Sequence, residues 1–391
     1  MKTLKEIDVQ GKTVLVRCDY NVPTDENGAI TDDNRIVATI ELIDYLLQQD
    51  ARIVLASHMG RPGGKKDPGF SLRPVAARLS ELIHRKVEFA DECIGDTVKE
   101  KVQALQKGEI LVLENLRFHE EEKKNDPRFA EELASLCDVY VNEAFAVSHR
   151  NQASVTGIPK YAPVSAAGFL LEKEVRNYLD SVKNPKRPLV AVIGGAKVSG
   201  KLEALRNMLN YVDKLIIGGA MANTFLKARG IDTKGSMVED DLVDTAADIM
   251  QRAKENSIEL LLPVDLVAAE RFDKNAETLK VPVNQIPDGW MGLDIGPETA
   301  ERYGKALKNA GTIVWNGPMG VFEMPPFMEG TRKVAEAVAR SDAFSIVGGG
   351  DTGLAVKMCG VSEGISYIST GGGAFLHLME GRELPGVTAL T

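Results

Sequence analysis

The chain has 391 residues, longer than one hydrophobic core usually supports, so its length predicts two domains. Its composition, 44% hydrophobic and 26% charged, is that of an ordinary globular protein. A net charge of −9 excludes a basic body that binds nucleic acid, so any anion site must be a local basic patch.

The cysteines and the amino-terminal residues indicate the compartment. Cys18, Cys93, Cys137 and Cys359 are far apart and form no CxxC or Cys/His cluster, which favours free thiols over a zinc site or disulfides. Residues 1–8 lack the apolar core of a signal peptide, and no apolar run approaches the length of a membrane span. These features predict a cytoplasmic protein that does not bind membranes.

The first half alternates between short apolar runs and helical patterns. Strands are predicted at residues 14–18, 52–56, 109–113 and 138–141. Ile36, Ile40, Ile43 and Leu47 mark one helix, and a second helix runs from Leu72 to Leu82. This alternation is typical of a parallel sheet covered by helices, so the sequence predicts an α/β fold.

Polar and basic residues follow these apolar runs at their carboxyl ends, where open α/β sheets bind ligands. Taken singly, such an arginine is more often a surface residue and such a histidine more often structural. Their shared position at strand ends instead favours a small, multiply charged anion, because guanidinium forks match phosphate and carboxylate oxygens. The predicted anion-binding residues are Asp19, Asn21, Arg35, His58, Arg61, Arg117 and Arg150.

Residues 170–187 form a different kind of segment. Leu170, Leu171, Val175 and Leu179 give a helical pattern interleaved with charged residues. Residues 183–188 then end the helix, since proline cannot continue it. The segment is predicted to connect two domains.

Residues 188–202 form the motif most suggestive of a phosphate site. An apolar run from Leu189 to Ile193, typical of a strand buried on both faces, leads into Gly194 and Gly195 and then into a helical pattern. If the helix begins near Val198, Lys197 and Lys201 present two ammonium groups beside free backbone N–H donors. Such an arrangement attracts phosphate.

Two other interpretations of this stretch stay open from the residues alone. The spacing from Gly195 to Gly200 and Lys201 imitates a P-loop, but Leu202 stands where that motif needs Ser or Thr for magnesium. The stretch could also be a plain glycine turn with two solvated lysines.

The second half continues the alternation, with strands predicted at 215–217, 260–262, 312–315, 344–347 and 366–370. Glycine-rich turns follow several of these strands and allow close backbone approach to a nucleotide. Asp351, after one glycine run, is either a magnesium ligand through a phosphate or an ordinary helix cap. An anion-collecting domain and a phosphate-binding domain together predict phosphoryl transfer between small molecules.

The motifs resemble the phosphoglycerate kinase family along the whole chain. The resemblance lies at residues 16–23, 57–62, 114–118, 142–150, 194–201, 315–323, 348–352 and 371–374. It implies two Rossmann-like three-layer domains with parallel sheets, joined by a helix and a hinge. It also implies a reversible transfer of a phosphoryl group from 1,3-bisphosphoglycerate to ADP with Mg²⁺, giving 3-phosphoglycerate and ATP in glycolysis and gluconeogenesis.

The resemblance assigns roles to individual residues. Those implied to hold phosphoglycerate are Asp19, Asn21, Arg35, His58, Met59, Gly60, Arg61, Arg117 and Arg150. Those implied to hold the nucleotide are Gly195, Lys201, Gly219, Asn316, Glu323, Gly349, Gly350, Asp351 and Thr352, with Glu323 on the ribose and Asp351 on Mg²⁺. The implied catalytic residues are Arg35, Lys197, Lys201, Gly371 and Gly372.

The family pattern also implies domain boundaries. Residues 1–170 would bind phosphoglycerate, 171–187 would link, 188–374 would bind nucleotide, and 375–391 would return to the first domain. The family closes its domains about the hinge and thereby excludes water. A monomer is expected from the family alone.

The chain departs from the family's usual pattern at a few positions. Tyr20 replaces phenylalanine, and Ala146-Val-Ser148 replaces Gly-Thr-Ala. Phe375 and His377 stand where serine and glutamate are usual, just after the Gly371 loop. These last changes bear on closure more than on the class of reaction, because the charged groups assigned to phosphates are all present.

Three other functions are weaker matches. A P-loop NTPase or nucleotide-driven switch lacks the required residue at Leu202. A Rossmann dehydrogenase would need GxGxxG after an early strand, which is missing here. A binding or scaffold protein would leave the lysines and Arg35 dispensable.

Overall fold

A computed structural model describes residues 1–391, and the chain divides into two compact units. The first unit comprises Met1–Val175 with Glu383–Thr391, and the second comprises Arg176–Arg382. Each is built around a six-stranded parallel sheet. The predicted α/β class with parallel sheets is confirmed.

The first unit has the strand order β3-β4-β2-β1-β5-β6. Its strands are β1 (Thr13–Arg17), β2 (Arg52–Ala56), β3 (Glu88–Phe89), β4 (Ile110–Val112), β5 (Val139–Asn142) and β6 (Ser165–Ala167). Its helices are α1 (Asn34–Val37), α2 (Ile40–Gln48), α3 (Arg73–Ile83), α4 (Asp96–Ala104), α5 (Glu120–Lys124), α6 (Pro127–Ala134) and the start of α7 (Phe169–Lys183). The chain order reverses direction between β1 and β5, which creates the crevice where open sheets bind ligands.

The core explains why these segments are strands. All five residues of β1 are buried, as expected for a central strand covered on both faces. Val14 and Val16 alternate onto one face, where they join Leu42 and Leu46 of α2 in a single cluster. Burying such aliphatic side chains contributes about 1.5–3 kcal/mol each.

The helix predicted across Ile36 to Leu47 is broken into α1 and α2. The break lies at Thr39, whose hydroxyl donates to the Ile36 carbonyl at 2.8 Å and pairs with the hydroxyl of Tyr20 at 2.8 Å. Thr39 and Tyr20 are both buried. This local side-chain bond to the backbone competes with continuous helix, which hydrophobic spacing alone does not reveal.

The second unit has the parallel strand order β15-β14-β13-β7-β8-β9 and a separate three-stranded sheet, β11-β10-β12. Its strands are β7 (Leu189–Ile193), β8 (Lys214–Ile217), β9 (Glu259–Leu261), β10 (Asp265–Ala269), β11 (Thr278–Pro282), β12 (Met291–Ile295), β13 (Thr312–Asn316), β14 (Phe344–Gly348) and β15 (Tyr367–Ile368). Its helices, after the end of α7, are α8 (Leu202–Met208), α9 (Met221–Ala228), α10 (Val243–Glu255), α11 (Pro297–Lys308), α12 (Glu329–Ala339), α13 (Gly350–Met358) and α14 (Gly372–Met379). The short α15 (Pro385–Thr388) lies in the first unit.

The antiparallel sheet was not predicted from the sequence. Four of the five residues of β11 are exposed, so its sequence carries no alternating apolar signal. The pairing of β10 with β12 also contains an irregularity between Val267 and Ala268. Strand β12 and Phe272, in the turn between β10 and β11, line a pocket of the second unit.

The prediction that a helix begins near Val198 is wrong. Residues 195–201 form turns, and α8 begins only at Leu202, with Lys201 at its N-cap. Val198 is fully buried, so this apolar residue belongs to the packed loop and not to a helical face. Any phosphate site here is therefore built by loops and not by the start of α8.

The boundaries implied by the family pattern also differ from those of the units. Helix α7 continues through Val175, where the first unit ends, to Lys183. Residues 375–382 belong to the second unit, because Phe375 packs edge to face on Tyr178 with ring centroids 5.5 Å apart. Only the part from Glu383 lies in the first unit, where Gly386 donates its N–H to the Ser148 carbonyl at 2.8 Å.

Candidate functional site

In the first unit, the predicted anion-binding residues follow neighbouring strands at one edge of the sheet. Asp19 and Asn21 follow β1, and His58 follows β2. Arg117 and Arg150 follow β4 and β5. These four strands are adjacent and parallel, so their carboxyl ends meet at the same edge.

Hydrogen bonds join several of these residues directly. Arg35 donates from Nη1 to Oδ2 of Asp19 at 2.8 Å and to the Asn21 carbonyl at 3.1 Å. The Asn21 side chain accepts from the backbone N–H of Gly60 at 2.8 Å. Residues from three separate segments therefore form one connected group.

Asn115, which the sequence analysis did not single out, holds the next part of the site in place. Its Oδ1 accepts from the N–H groups of Met59 at 3.2 Å and Arg117 at 3.0 Å, and its Nδ2 donates to the Met59 carbonyl at 2.7 Å. Arg117 then donates from Nη1 to the Gly60 carbonyl at 2.8 Å. This buried amide fixes the loop after β2 against the loop after β4.

Arg117 is a buried cation whose hydrogen-bond donors are only partly paired. Its side chain is 3% exposed, and its Nε and Nη2 are buried without a hydrogen-bond partner. Burial, followed by the charges of Arg150 and Arg17, lowers its pKa to about 10, so it remains cationic at neutral pH. A buried guanidinium with free donors is costly unless an anion occupies the space beside it.

Burial and the neighbouring arginines also shift the pKa values of other groups at this edge of the sheet. Burial lowers the pKa of His58 well below its usual range, and the charges of Arg17, Arg117, Arg150 and Arg35 lower it further. Burial also lowers the pKa of Arg150, and the charge of Arg61 adds to the effect. Arg61 itself is exposed, so it lies at the rim.

The second unit contains a pocket of about 800 Å³. Gly195, Gly219, Glu323 and Asp351, all predicted from the sequence, line it together. The other lining residues are mostly apolar or glycine, and the sequence analysis did not identify them: Ala196, Ala220, Gly235, Met237, Val238, Phe272, Met291, Gly292, Leu293, Pro318, Gly320, Val321, Phe322 and Met324. A mostly apolar pocket with a few polar groups is typical of a small-molecule site.

The pocket lies where the strand order of the second sheet reverses, between β7 and β13. Gly194 donates its N–H to the Asn316 carbonyl at 3.0 Å, and Gly195 donates to the Pro318 carbonyl at 2.9 Å. A β-carbon on Gly194 would lie 2.1 Å from the Pro318 carbonyl oxygen, so only glycine allows this approach.

The predicted phosphate-binding residues of this unit form a bonded network beside the pocket. Lys201 donates from Nζ to the Gly194 carbonyl at 2.6 Å and the Asn316 carbonyl at 3.0 Å. Asn316 donates to the Gly348 carbonyl at 3.0 Å, and the N–H of Gly317 donates to the Thr352 hydroxyl at 2.7 Å. Burial lowers the pKa of Lys201 to about 8, although the nearby Asp351 carboxylate opposes this shift.

Of the remaining predicted residues, the glycines lie beside the glycine turn after β14, whereas Lys197 is not bonded to the others. A β-carbon on Gly372 would lie 3.3 Å from Gly349 Cα and from Gly350 N, so these two glycine turns meet. Gly371 is buried at the N-cap of α14. Lys197 is exposed and has no hydrogen bond or ion pair to the other predicted residues.

The first unit also contains a residue that sequence reasoning missed. Arg17 is fully buried at the end of β1 and donates from Nη2 to Nδ1 of His58 at 3.1 Å. The signal available in the sequence was a charged residue inside the apolar run Val14-Leu-Val. A buried charge in a central strand requires partners, and such partners often belong to a functional site.

The fold defines a class of protein, an α/β protein with basic side chains gathered at the sheet edge of one unit and a pocket of about 800 Å³ in the other. The family model for phosphoglycerate kinase matches residues 4–382. A phosphoglycerate kinase of Desulforapulum autotrophicum is 63% identical over 390 residues, covering 100% of both chains, and one of Desulfosudis oleivorans is 56% identical, covering 100% of this chain and 98% of the other.

Solved structures agree with these relatives. The phosphoglycerate kinase of Coxiella burnetii has a TM-score of 0.91 at 41% identity, covering 99% of this chain and 98% of the other. That of Pyrococcus horikoshii has a TM-score of 0.85 at 34% identity, covering 100% and 98%. The chain belongs to the phosphoglycerate kinase family, and it is a phosphotransferase whose acceptor is a carboxyl group.

The P-loop interpretation is thereby not favoured. The family model covers residues 4–382, and Leu202, the first residue of α8, has no hydroxyl to hold magnesium. None of the helices is long and apolar enough to cross a membrane.

Proposed function

We propose that this chain transfers a phosphoryl group reversibly between 1,3-bisphosphoglycerate and ADP in a Mg²⁺-dependent reaction, giving 3-phosphoglycerate and ATP. In this proposal the first unit binds phosphoglycerate and the second binds the nucleotide. The observation that carries the substrate assignment is Arg117, a buried cation with two unpartnered donor nitrogens. A phosphate or carboxylate group would satisfy both donors and offset the charge.

Phosphoglycerate is proposed to bind at the edge of the first sheet, where buried and exposed groups would contribute differently to its affinity. The contacts would come from Asp19, Asn21, Arg35, His58, Met59, Gly60, Arg61, Arg117 and Arg150. Arg35 pairs with Asp19 at 2.8 Å, so substrate oxygens would compete with this carboxylate for the guanidinium. Arg61, which is exposed, would act through its charge at the rim.

The nucleotide is proposed to bind in the pocket of the second unit. The apolar residues of the lining would take the base, and Glu323, an exposed residue of the same lining, would accept hydrogen bonds from the ribose hydroxyls. The phosphates would lie toward Lys201, Asn316 and the turn from Gly349 to Thr352. The bonded network among these groups supports this assignment.

Mg²⁺ is proposed to bind through Asp351 and the nucleotide phosphates. No group of three or more His, Cys, Asp or Glu side chains forms a metal cage in the structure. The exposed carboxylate of Asp351 in the pocket lining fits this ion, because Mg²⁺ is usually held by one or two carboxylates together with phosphates and water. The ion would neutralise charge on the phosphate chain.

The catalytic groups are proposed to act by charge and position and not as bases. Phosphoryl transfer passes through a loose transition state with charge on its equatorial oxygens. Arg35 and Lys201 would stabilise that charge, Lys197 would add an exposed ammonium group, and backbone donors at Gly371 and Gly372 would complete the set. Lys201 needs its third N–H for this role, since two carbonyls already accept from it.

The protein is further proposed to be a cytoplasmic monomer. The absence of disulfides among its cysteines suits a reducing compartment. Light scattering coupled to size exclusion tests the oligomeric state, and a mass near 42.4 kDa is expected.

The first experiment is a coupled assay with MgATP and 3-phosphoglycerate, in which a dehydrogenase consumes the acyl phosphate and oxidises NADH. We expect turnover that stops when phosphoglycerate, nucleotide or magnesium is omitted. ATP hydrolysis at the same rate without phosphoglycerate would instead indicate a nucleotide hydrolase.

A further inference from the structure

A chain of buried hydrogen bonds connects helix α5 to Nδ1 of His58. It begins at Glu122, whose side chain is fully buried in α5. The carboxylate accepts from the Ser154 hydroxyl at 2.6 Å and from the Ser154 N–H at 2.9 Å. The Ser154 hydroxyl in turn accepts from Nε of Arg17 at 2.8 Å, and Arg17 donates from Nη2 to Nδ1 of His58 at 3.1 Å.

The direction of every bond in this chain is set by chemistry. A guanidinium group has only donors, so Nδ1 of His58 must accept and cannot carry a proton. The Ser154 hydroxyl accepts a hydrogen bond from Arg17, and its own O–H donates a hydrogen bond to the Glu122 carboxylate. The neutral imidazole must then hold its proton on Nε2, the ring nitrogen that Arg17 does not contact.

The charges around His58 favour the same neutral form. Arg17, Arg117, Arg150 and Arg35 all disfavour a further positive charge on the ring. Asp19 is the opposing group, with Oδ1 3.9 Å from Nδ1. The guanidinium of Arg17 lies closer to Nδ1 than this carboxylate does, so it occupies the lone pair that protonation would need.

We propose that Glu122, Ser154 and Arg17 are positioning residues that hold His58 as a neutral Nε2–H donor toward a substrate oxygen. The proposal rests on the proposed function, since it gives His58 a defined part in binding phosphoglycerate. The neutral Nε2–H of His58 would orient a substrate oxygen through the direction of its hydrogen bond, whereas the arginines would supply the positive charge. Loss of the Ser154 hydroxyl would remove the acceptor of Arg17 Nε, so that the guanidinium would be held only by its Nη1 bond to the Cys18 carbonyl and would hold Nδ1 of His58 less firmly.

The test uses the full-length protein with ¹⁵N-labelled histidine. The chain has only five histidines, so the ring signals of His58 can be assigned with a His58→Gln variant. In the wild type we expect the neutral Nε2–H tautomer between pH 5.5 and 8. In Ser154→Ala we expect mixed tautomers or protonation within this range, together with a KM for 3-phosphoglycerate raised about 5- to 20-fold and a kcat within about twofold.

Matched variants separate positioning from general destabilisation. Ser80→Ala removes a serine hydroxyl elsewhere in the first unit, where it donates to the Arg85 carbonyl at 2.6 Å, and should change neither the His58 spectrum nor KM. Glu122→Gln keeps the shape of the side chain that accepts from Ser154 and removes its charge. This variant replaces Ser154→Ala in the test if Ser154→Ala does not fold. It should also disturb the His58 tautomer.

The outcomes distinguish the two proposals. An Nδ1–H tautomer or a charged ring in the wild type at pH 7 would overturn the positioning proposal, and so would a Ser154→Ala variant with an unchanged spectrum and KM. The expected spectra without phosphoglycerate-dependent turnover would support the positioning of His58 and overturn the proposed function instead.

Discussion

The ring of Phe375 fills the space that a side chain on Gly348 would need. A β-carbon on Gly348 would lie 2.0 Å from Cδ1 of Phe375. Phe375 is fully buried and also packs edge to face on Tyr178. Because Gly348 ends β14 and precedes Gly349 to Thr352, a large ring packs beneath the proposed nucleotide loop, where the family usually has a serine.

This contact predicts a strong coupling between the two positions. Gly348→Ala should lower the free energy of unfolding by about 1–3 kcal/mol, because the added methyl group would force the buried ring of Phe375 to shift. The loss should shrink in a Phe375→Leu background by about 1 kcal/mol or more. Urea unfolding of the double-mutant cycle, with MgADP affinity measured alongside, checks this.

Gly304→Ala is the matched control, since the nearest atom to its β-carbon would lie at 3.7 Å. It should be neutral or stabilising, as helical Gly→Ala changes usually are. Equal losses for Gly348→Ala in both backgrounds would contradict the coupling.

Lys201 should make nucleotide binding depend on protons. Burial holds its pKa at about 8 in the free protein, so near pH 8 about half of the molecules carry the charge. Bound phosphates would raise this pKa again, and binding of MgADP at pH 8 should take up about half a proton. Calorimetry in two buffers of different ionisation enthalpy measures this uptake, which Lys201→Met should abolish; the same uptake in both proteins would contradict the assignment.

Loss of the Lys201 side chain should impair the chemical step. Lys201→Ala should lower kcat by about 10² or more if the ammonium group stabilises the transferring phosphoryl group. Steady-state kinetics in the coupled assay, with circular dichroism to verify folding, measures the effect. Near-normal turnover would remove Lys201 from the catalytic set.

Arg117 and Arg61 should differ in both affinity and stability. Arg117→Met should raise the KM for 3-phosphoglycerate by about 10- to 100-fold, because charge-assisted bonds from a buried donor would be lost. It should also stabilise the substrate-free protein, since a buried charge without an anion is removed. Thermal unfolding with and without 3-phosphoglycerate checks this combination.

Arg61→Ala is the exposed counterpart. It should raise KM by a smaller factor and leave the stability of the free protein unchanged, since solvent already screens this side chain. An unchanged KM in Arg61→Ala, or a destabilised Arg117→Met protein, would count against the respective role.

Glu143 should make the stability of the first unit fall as pH rises. Its buried carboxyl accepts from the N–H of Leu170 with both oxygens at 3.0 Å, and burial raises its pKa to about 8. The folded protein therefore keeps a proton between about pH 4.5 and 8 that the unfolded chain releases, so the free energy of unfolding falls across this range, by up to about 1.4 kcal/mol per pH unit.

Glu143→Gln removes this proton and keeps the shape of the side chain. Urea unfolding at pH 5.5 and 7.5 should show the variant gaining stability relative to the wild type at the higher pH. Asp294, another buried acid with its pKa raised to about 8, contributes equally to both proteins and cancels in the comparison. A stability difference that is independent of pH would contradict the prediction.

The sequence predicted the parallel strands well, because a strand buried on both faces must be apolar throughout. Leu189–Ile193 and Arg52–Ala56 are strands as predicted, and the polar residues after such runs do lie at one edge of each sheet. The short β3 and the exposed β11 carry no comparable signal, and the sequence analysis missed them.

By itself, then, the sequence determined the α/β class, the two-part organisation and the residue types at the sheet edges, since these follow from local hydrophobic pattern and from the order of the elements. Only the tertiary structure decided that Lys201 precedes a late-starting helix and bonds two carbonyls, and that Arg117 is buried with free donors. It also decided that Glu122 connects to His58 through Ser154 and Arg17. These features join residues far apart in the chain, and their energies depend on burial and geometry that no local pattern encodes.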